Sequence, residues 1–124
     1  MSEEIYQQGL AVKRQLFGAG KESPIPKDHL AAELLRYTDE WVFGQIYTRP
    51  GLDLKTRSML TVAALTVLGK DDYLRRHIQG ALHVGVSQQE IKEILMQMAF
   101  YGGIPCALKG LRIAHEEFIA HDKA

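Results

Sequence analysis

One histidine, His77, sits among apolar residues at helical spacing. Leu74, Ile78 and Ala81 recur at three- and four-residue steps. His77 falls inside that stripe, three residues after Leu74 and four before Ala81. An imidazole, with an ordinary pKa of about 6.5, is a candidate proton donor or acceptor when it faces a packed interior. The same position also suits a core histidine bonded to a backbone carbonyl. Other chemical patterns break down residue by residue. Gly69-Lys70 faintly suggests a phosphate loop, but Ala64 stands where the first glycine belongs and Asp71 follows the lysine. His115-Glu116-Glu117 begins like a zinc-protease helix, but position 119 is isoleucine. The five histidines contain no i,i+4 pair, and Cys106 is the single cysteine, so no metal set is indicated.

The elements that must position His77 read as helices. Residues 2 to 17 suit a first helix, with Ile5, Leu10, Val12, Leu16 and Phe17 apolar and Gly18 and Gly20 ending it. Lys21 to Asp28 is a polar connector that Pro24 and Pro26 hold extended. Asp28 can cap the next helix, where Leu30, Leu34, Tyr37, Trp41 and Gln45 share a face. Thr38-Asp39 is a possible division into two helices. Arg49-Pro50-Gly51 forms a turn. A third segment opens after Asp53 and is apolar nearly all round from Met59 to Leu68, which predicts burial on every side. Gly69 stops it, and Asp71 or Asp72 caps the helix of His77. Gly85 closes that helix. Ser87 to Glu90 forms a capping box before a helix with Ile91, Ile94, Leu95, Met98 and Ala99 inward. After Tyr101-Gly102-Gly103, Pro105 starts a last helix running to about His121, with Leu108, Leu111, Ala114 and Phe118 inward. No strand pattern or repeat is visible, so the expected fold is a single all-α domain over residues 1–124, with six or seven helices.

Composition narrows the function classes. Formal net charge is zero, from 15 basic and 15 acidic residues, and no basic block invites nucleic acid or an anionic membrane. No apolar run is long enough to span a bilayer, and the first residues lack the pattern of a signal peptide. One cysteine rules out an internal disulfide and fits a reducing, cytoplasmic location. Hydrophobic content of 46% in 124 residues leaves apolar surface for contacts between subunits.

Several pieces together resemble the carboxymuconolactone decarboxylase family over roughly residues 38 to 120, with residues 1–37 as a leading helix and connector. They are Arg49-Pro50-Gly51-Leu52-Asp53, Arg57-Ser58, His77-Ile78-Gln79-Gly80-Ala81-Leu82, Gly85, Glu90-Ile91-Lys92-Glu93 and Tyr101-Gly102-Gly103-Ile104-Pro105. The resemblance implies an alkylhydroperoxidase D-like helical fold and a homo-oligomer, trimer or hexamer. The peroxidase branch of that family carries two cysteines at positions matching Lys70 and Tyr73, and a glutamate at Ser58. Without a thiol pair, peroxide reduction lacks both its nucleophile and its resolving partner. Ser58 in its Arg-Ser context resembles the 4-carboxymuconolactone decarboxylase branch instead, which implies a lyase of aromatic-compound catabolism. Val84 and Leu108 stand where asparagines are common in the family, and Tyr47 where tryptophan is common; such changes suit a less polar substrate.

The implied reaction needs no cofactor. Carbon dioxide leaves an unsaturated lactone acid, and the electron pair delocalises through the double bond into the lactone carbonyl. The protein must hold carboxylates, stabilise developing charge and deliver a proton to carbon. The resemblance assigns His77 as acid/base, Arg49 as the carboxylate fork and Ser58, Tyr73 and Tyr101 as hydrogen-bonding groups, with Trp41 as an apolar wall. Each also has a structural reading: Arg49 as a turn residue, Ser58 bonded to its own helix, the tyrosines and Trp41 as packing, Cys106 as a small apolar filler. His83, six residues from His77, lies on another face. A non-catalytic ligand-binding or assembly protein of the same fold is the alternative reading.

Overall fold

The computed structural model describes residues 2–21 and 26–124. All regular structure among them is helical. The elements are α1 (Ser2–Phe17), α2 (Ala32–Thr38), a π-helical segment (Asp39–Ile46), α3 (Leu54–Leu68), α4 (Asp71–His83), α5 (Gln88–Gly102) and α6 (Ile104–Lys123). Six α-helices and one π-helical segment answer the expectation of six or seven, and the division falls at Thr38-Asp39. Pro24, expected to stiffen the connector, lies outside the described residues. The chain forms two compact units, Met1–Leu54 and Lys55–Ala124.

In the first unit, α1 and the π-helical segment touch backbone to backbone. A side chain at Gly9 would collide with the Asp39 carbonyl, and one at Gly44 would lie 2.6 Å from the Ile5 carbonyl. Only glycine permits that approach. Closeness brings Lys13 Nζ to 2.8 Å from Asp39 Oδ1, both side chains about 6% exposed. Lys13 also lies over the Phe43 ring, 5.6 Å from its centre. Phe43 in turn meets Phe17 edge-on and Tyr47 at a tilt. A buried pair is held this tightly because removing either partner strands the other charge away from water.

Two capping expectations change. Asp28 does not cap α2: the residue before that helix is Ala31, whose N–H donates to His29 Nδ1. Nor does Asp71 or Asp72 cap α4, where Lys70 holds the cap position without a side-chain bond. Both aspartates instead occupy the first turn, where negative charge suits the helix dipole, and Asp71 meets Lys109 Nζ at 3.2 Å.

The second unit is built on one core. Val62 of α3, Leu74, Ile78 and Ala81 of α4, Ile91 and Leu95 of α5, and Ile113 and Ala114 of α6 pack together with Val86. Each large side chain removed from water here contributes about 1.5–3 kcal/mol. Gly110 seats α6 against Thr66, Leu74 and Leu95; a side chain there would come within 3.2–3.7 Å of all three. Thr66 is buried, but its hydroxyl donates to the Val62 carbonyl at 2.8 Å. Glycines with positive φ at 69, 85 and 103 follow α3, α4 and α5, as their positions in the sequence suggest. The capping box forms: the Glu90 N–H donates to Ser87 Oγ, and the Ser87 N–H donates to the Glu90 carboxylate. That second bond holds the Glu90 carboxyl below its ordinary range.

Two packing expectations are overturned. The apolar α3 is not buried all round, because Leu60 and Leu68 are more than half exposed. Leu108 points outward, because α6 buries Ala107, Gly110, Ile113 and Ala114, and position 108 falls off that face.

Gly9→Ala forces α1 from the π-helical segment and is expected to cost about 1–3 kcal/mol. Gly51→Ala meets no atom within 4 Å and serves as control. Urea unfolding of both variants checks this; equal stabilities contradict the close-approach argument.

Candidate active site

The amphipathic α4 carries His77 along one border of its buried stripe. Leu74, Ile78, Gly80 and Ala81 are buried, whereas His77 is only half-buried. Burial is the larger of two influences that push the imidazole pKa down, from 6.5 to about 4; the positive charge of neighbouring Arg76 is the second. Both act against the protonated ring, so His77 is neutral at pH 7. A neutral imidazole offers one nitrogen as acceptor and one N–H as donor.

Ser58 is fully buried, at 0% exposure, in the second turn of α3. It precedes Val62 by four residues and shares its face. Val62 packs in the same cluster as Ile78 and Ala81 of α4. Helices carrying Ser58 and His77 therefore meet through one core. The Ser58 hydroxyl has no hydrogen-bond partner among the described residues. A buried hydroxyl in that state costs about 1–3 kcal/mol, so this position is held against its own desolvation. The structural reading, a bond back to its own helix, is not what the side chain does. Thr61 and Thr66 of the same helix do make that bond, to Arg57 and Val62.

The remaining candidates lie further from the packed interior. Tyr73 and Tyr101 belong to the same unit and are 63% and 74% exposed. Trp41 is 65% exposed and Arg49 is also exposed; both belong to the first unit. Trp41 lies in the π-helical segment, a geometry that recurs at functional sites. Cys106 is half-buried, its sulfur 3.8 Å from the Val67 carbonyl. Among the described residues no group of three His, Cys, Asp or Glu side chains could hold a metal ion, and no helix is long and apolar enough to cross a membrane.

Sequence reasoning missed three contributors. Arg76 was one charge among many, yet it bears on His77. Arg75 and Gln79 flank the histidine and both bond to Glu117 of α6. Their i,i+4 spacing showed that they share a face; nothing in the sequence named a partner some forty positions away.

Comparison with known proteins gives a consistent answer. The family model for the carboxymuconolactone decarboxylase family matches residues 32–116. A 4-carboxymuconolactone decarboxylase from Acinetobacter baylyi is 30% identical over 118 residues, covering 94% of this chain and 88% of the relative. A nitrosuccinic acid decarboxylase from Metarhizium robertsii is 27% identical over 123 residues, 94% of this chain and 82% of the relative. An uncharacterized 15.0 kDa protein from Paracoccus denitrificans is 40% identical over 86 residues, 68% of this chain and 64% of the relative. With more than half its length matched, and with those relatives, the chain belongs to the carboxymuconolactone decarboxylase family.

Proposed function

We propose that the protein is a cofactor-independent decarboxylase of a small unsaturated lactone carboxylic acid, 4-carboxymuconolactone decarboxylase-like, with His77 managing the proton. The observation that carries this reading is a half-buried, neutral imidazole on a core-forming helix, in the same unit as the fully buried Ser58. Two decarboxylases among the relatives support the reaction class. One cysteine, with Lys70 and Tyr73 where the peroxidase branch carries its pair, argues against peroxide reduction.

The proton balance fixes what His77 must do. A carboxylate leaves as carbon dioxide, its C–C bond electrons pass into the conjugated carbonyl, and the resulting carbon takes one proton. One proton is therefore consumed per turnover. Neutral His77 cannot donate until it has first gained a proton. An anionic substrate beside it offsets the repulsion from Arg76 and favours the imidazolium in the complex. The ring then hands its proton to carbon. In this reading Ser58, Tyr73 and Tyr101 donate hydrogen bonds to developing negative charge.

The working form is proposed to be a cytoplasmic homo-oligomer, trimer or hexamer. Met96, Phe100, Ile104 and Leu108 follow one another at four-residue steps and are all exposed, as are Leu60 and Leu68. Apolar surface of this extent normally marks an interface.

Purified protein incubated with γ-carboxymuconolactone is expected to release carbon dioxide. His77→Ala should lower kcat by at least about 100-fold, the scale of general acid–base catalysis. Full activity in that variant contradicts the mechanism. Light scattering should give a mass three or six times the chain's 14.0 kDa, reduced by Phe100→Asp; a wild-type monomer contradicts the assembly.

Acid should weaken the fold through the same ring. Its folded pKa is depressed, so the unfolded chain binds the extra proton as pH falls below 6.5. The stability this contributes is fully present above pH 6.5 and is lost as pH falls to about 4. The loss is on the order of 3 kcal/mol. Between pH 7.5 and 4, urea denaturation should show wild type losing that much more stability than His77→Gln. Parallel losses contradict the neutral buried ring.

A further inference from the structure

The α4–α6 contact contains a carboxylate that holds the helix of His77 from two points. Glu117 Oε2 accepts from Arg75 Nη1 at 2.7 Å, and Glu117 Oε1 accepts from Gln79 Nε2 at 2.8 Å. Glu116 takes the second guanidinium nitrogen of Arg75 at 2.8 Å. Glu117 is the better buried of the two acids, its side chain 11% exposed against 54% for Glu116. The Glu117 bond is the main cause, ahead of that to Glu116, that holds the Arg75 guanidinium above its ordinary pKa. Each oxygen of one nearly buried carboxylate therefore has its own donor on α4.

Those two donors are i and i+4, one above the other on a single helix face. His77 is midway between them in sequence. At 3.6 residues per turn it points about 200° around the helix from each. The buried stripe of Leu74, Ile78 and Ala81 runs between the two borders. Two bonds one turn apart resist both rotation of α4 about its axis and slippage along it. Rotation is the motion that would carry His77 toward solvent or into the core. Apolar contacts alone are non-directional and set rotation only loosely. A charged bidentate acceptor has a preferred geometry and sets it tightly.

We propose that Glu117 is a positioning residue for His77, fixing the rotation of α4 through Arg75 and Gln79 so that the imidazole stays at the border of the core. This rests on the catalytic reading of His77 for its effect on turnover, but not for its effect on the ring's surroundings.

The test therefore reads both. Diethyl pyrocarbonate acylates neutral imidazoles, and His29, His83, His115 and His121 are all exposed. They serve as internal standards in peptide-resolved mass spectrometry at pH 7. In wild type His77 should react more slowly than all four. Glu117→Ala and Gln79→Ala are expected to speed acylation of His77 at least about threefold relative to the standards, with helix content unchanged. Glu117→Gln keeps one acceptor oxygen and should fall between. With a turned-over substrate, Glu117→Ala should lower kcat about tenfold while KM stays within twofold, as misplacement of a reacting group does. Unchanged His77 acylation in the variants overturns the proposal. If Glu117→Ala does not fold, Gln79→Ala, an exposed position, decides alone. Faster acylation in a protein that decarboxylates nothing supports the positioning and sinks only the decarboxylase reading.

Discussion

Desolvation of a single imidazole is the constraint on which the proposed chemistry depends. A ring at the border of the core is held neutral chiefly because partial burial strips it of water, and secondarily because Arg76 repels a second positive charge. Electrostatics in such a place are stronger than in water, so a substrate's negative charge changes the ring's proton affinity far more than it would on an exposed surface. The packing of α4 is the cause, through Leu74, Ile78 and Ala81. Neutrality of the resting ring is a consequence of that packing.

The same unit accepts other local costs. Ser58 keeps a buried hydroxyl without a hydrogen-bond partner among the described residues, while Thr61 and Thr66 on its helix satisfy theirs. Exposed Leu60, Leu68, Phe100 and Leu108 leave apolar surface in water. Both features run against what folding alone would select. In the first unit the constraint is of another kind. Two glycines let α1 and the π-helical segment meet, and the Lys13–Asp39 pair is sealed between them.

Much of this was legible in the residues. Helical periodicity, the glycines after α3, α4 and α5, and the Ser87–Glu90 box each depend on neighbours within one turn, so local sequence determines them. The His77 stripe was legible for the same reason. Family-level motifs around Arg49, Ser58 and Tyr101 pointed to the family that the comparisons establish. What was hidden depends on partners distant in sequence. Lys13 finds Asp39 across 26 positions, and Arg75 finds Glu117 across 42. Leu108 and the outer side of α3 were misread because apolar character alone does not distinguish a core from a surface awaiting a partner. Asp28 and Asp71 were misread as caps because an aspartate near a helix start also suits a turn or an ion pair.

Direct observation of the ring's proton is the most searching measurement. The His77 Cε1–Hε1 signal, followed by NMR from pH 8 to pH 3.5, should titrate with a midpoint near 4 in the free protein. A non-reacting dicarboxylate analogue should move that midpoint upward. A midpoint near 6.5 that ignores the analogue would mean that the imidazole is solvated and remote from any ligand, and the account of a dry, substrate-coupled proton would be wrong.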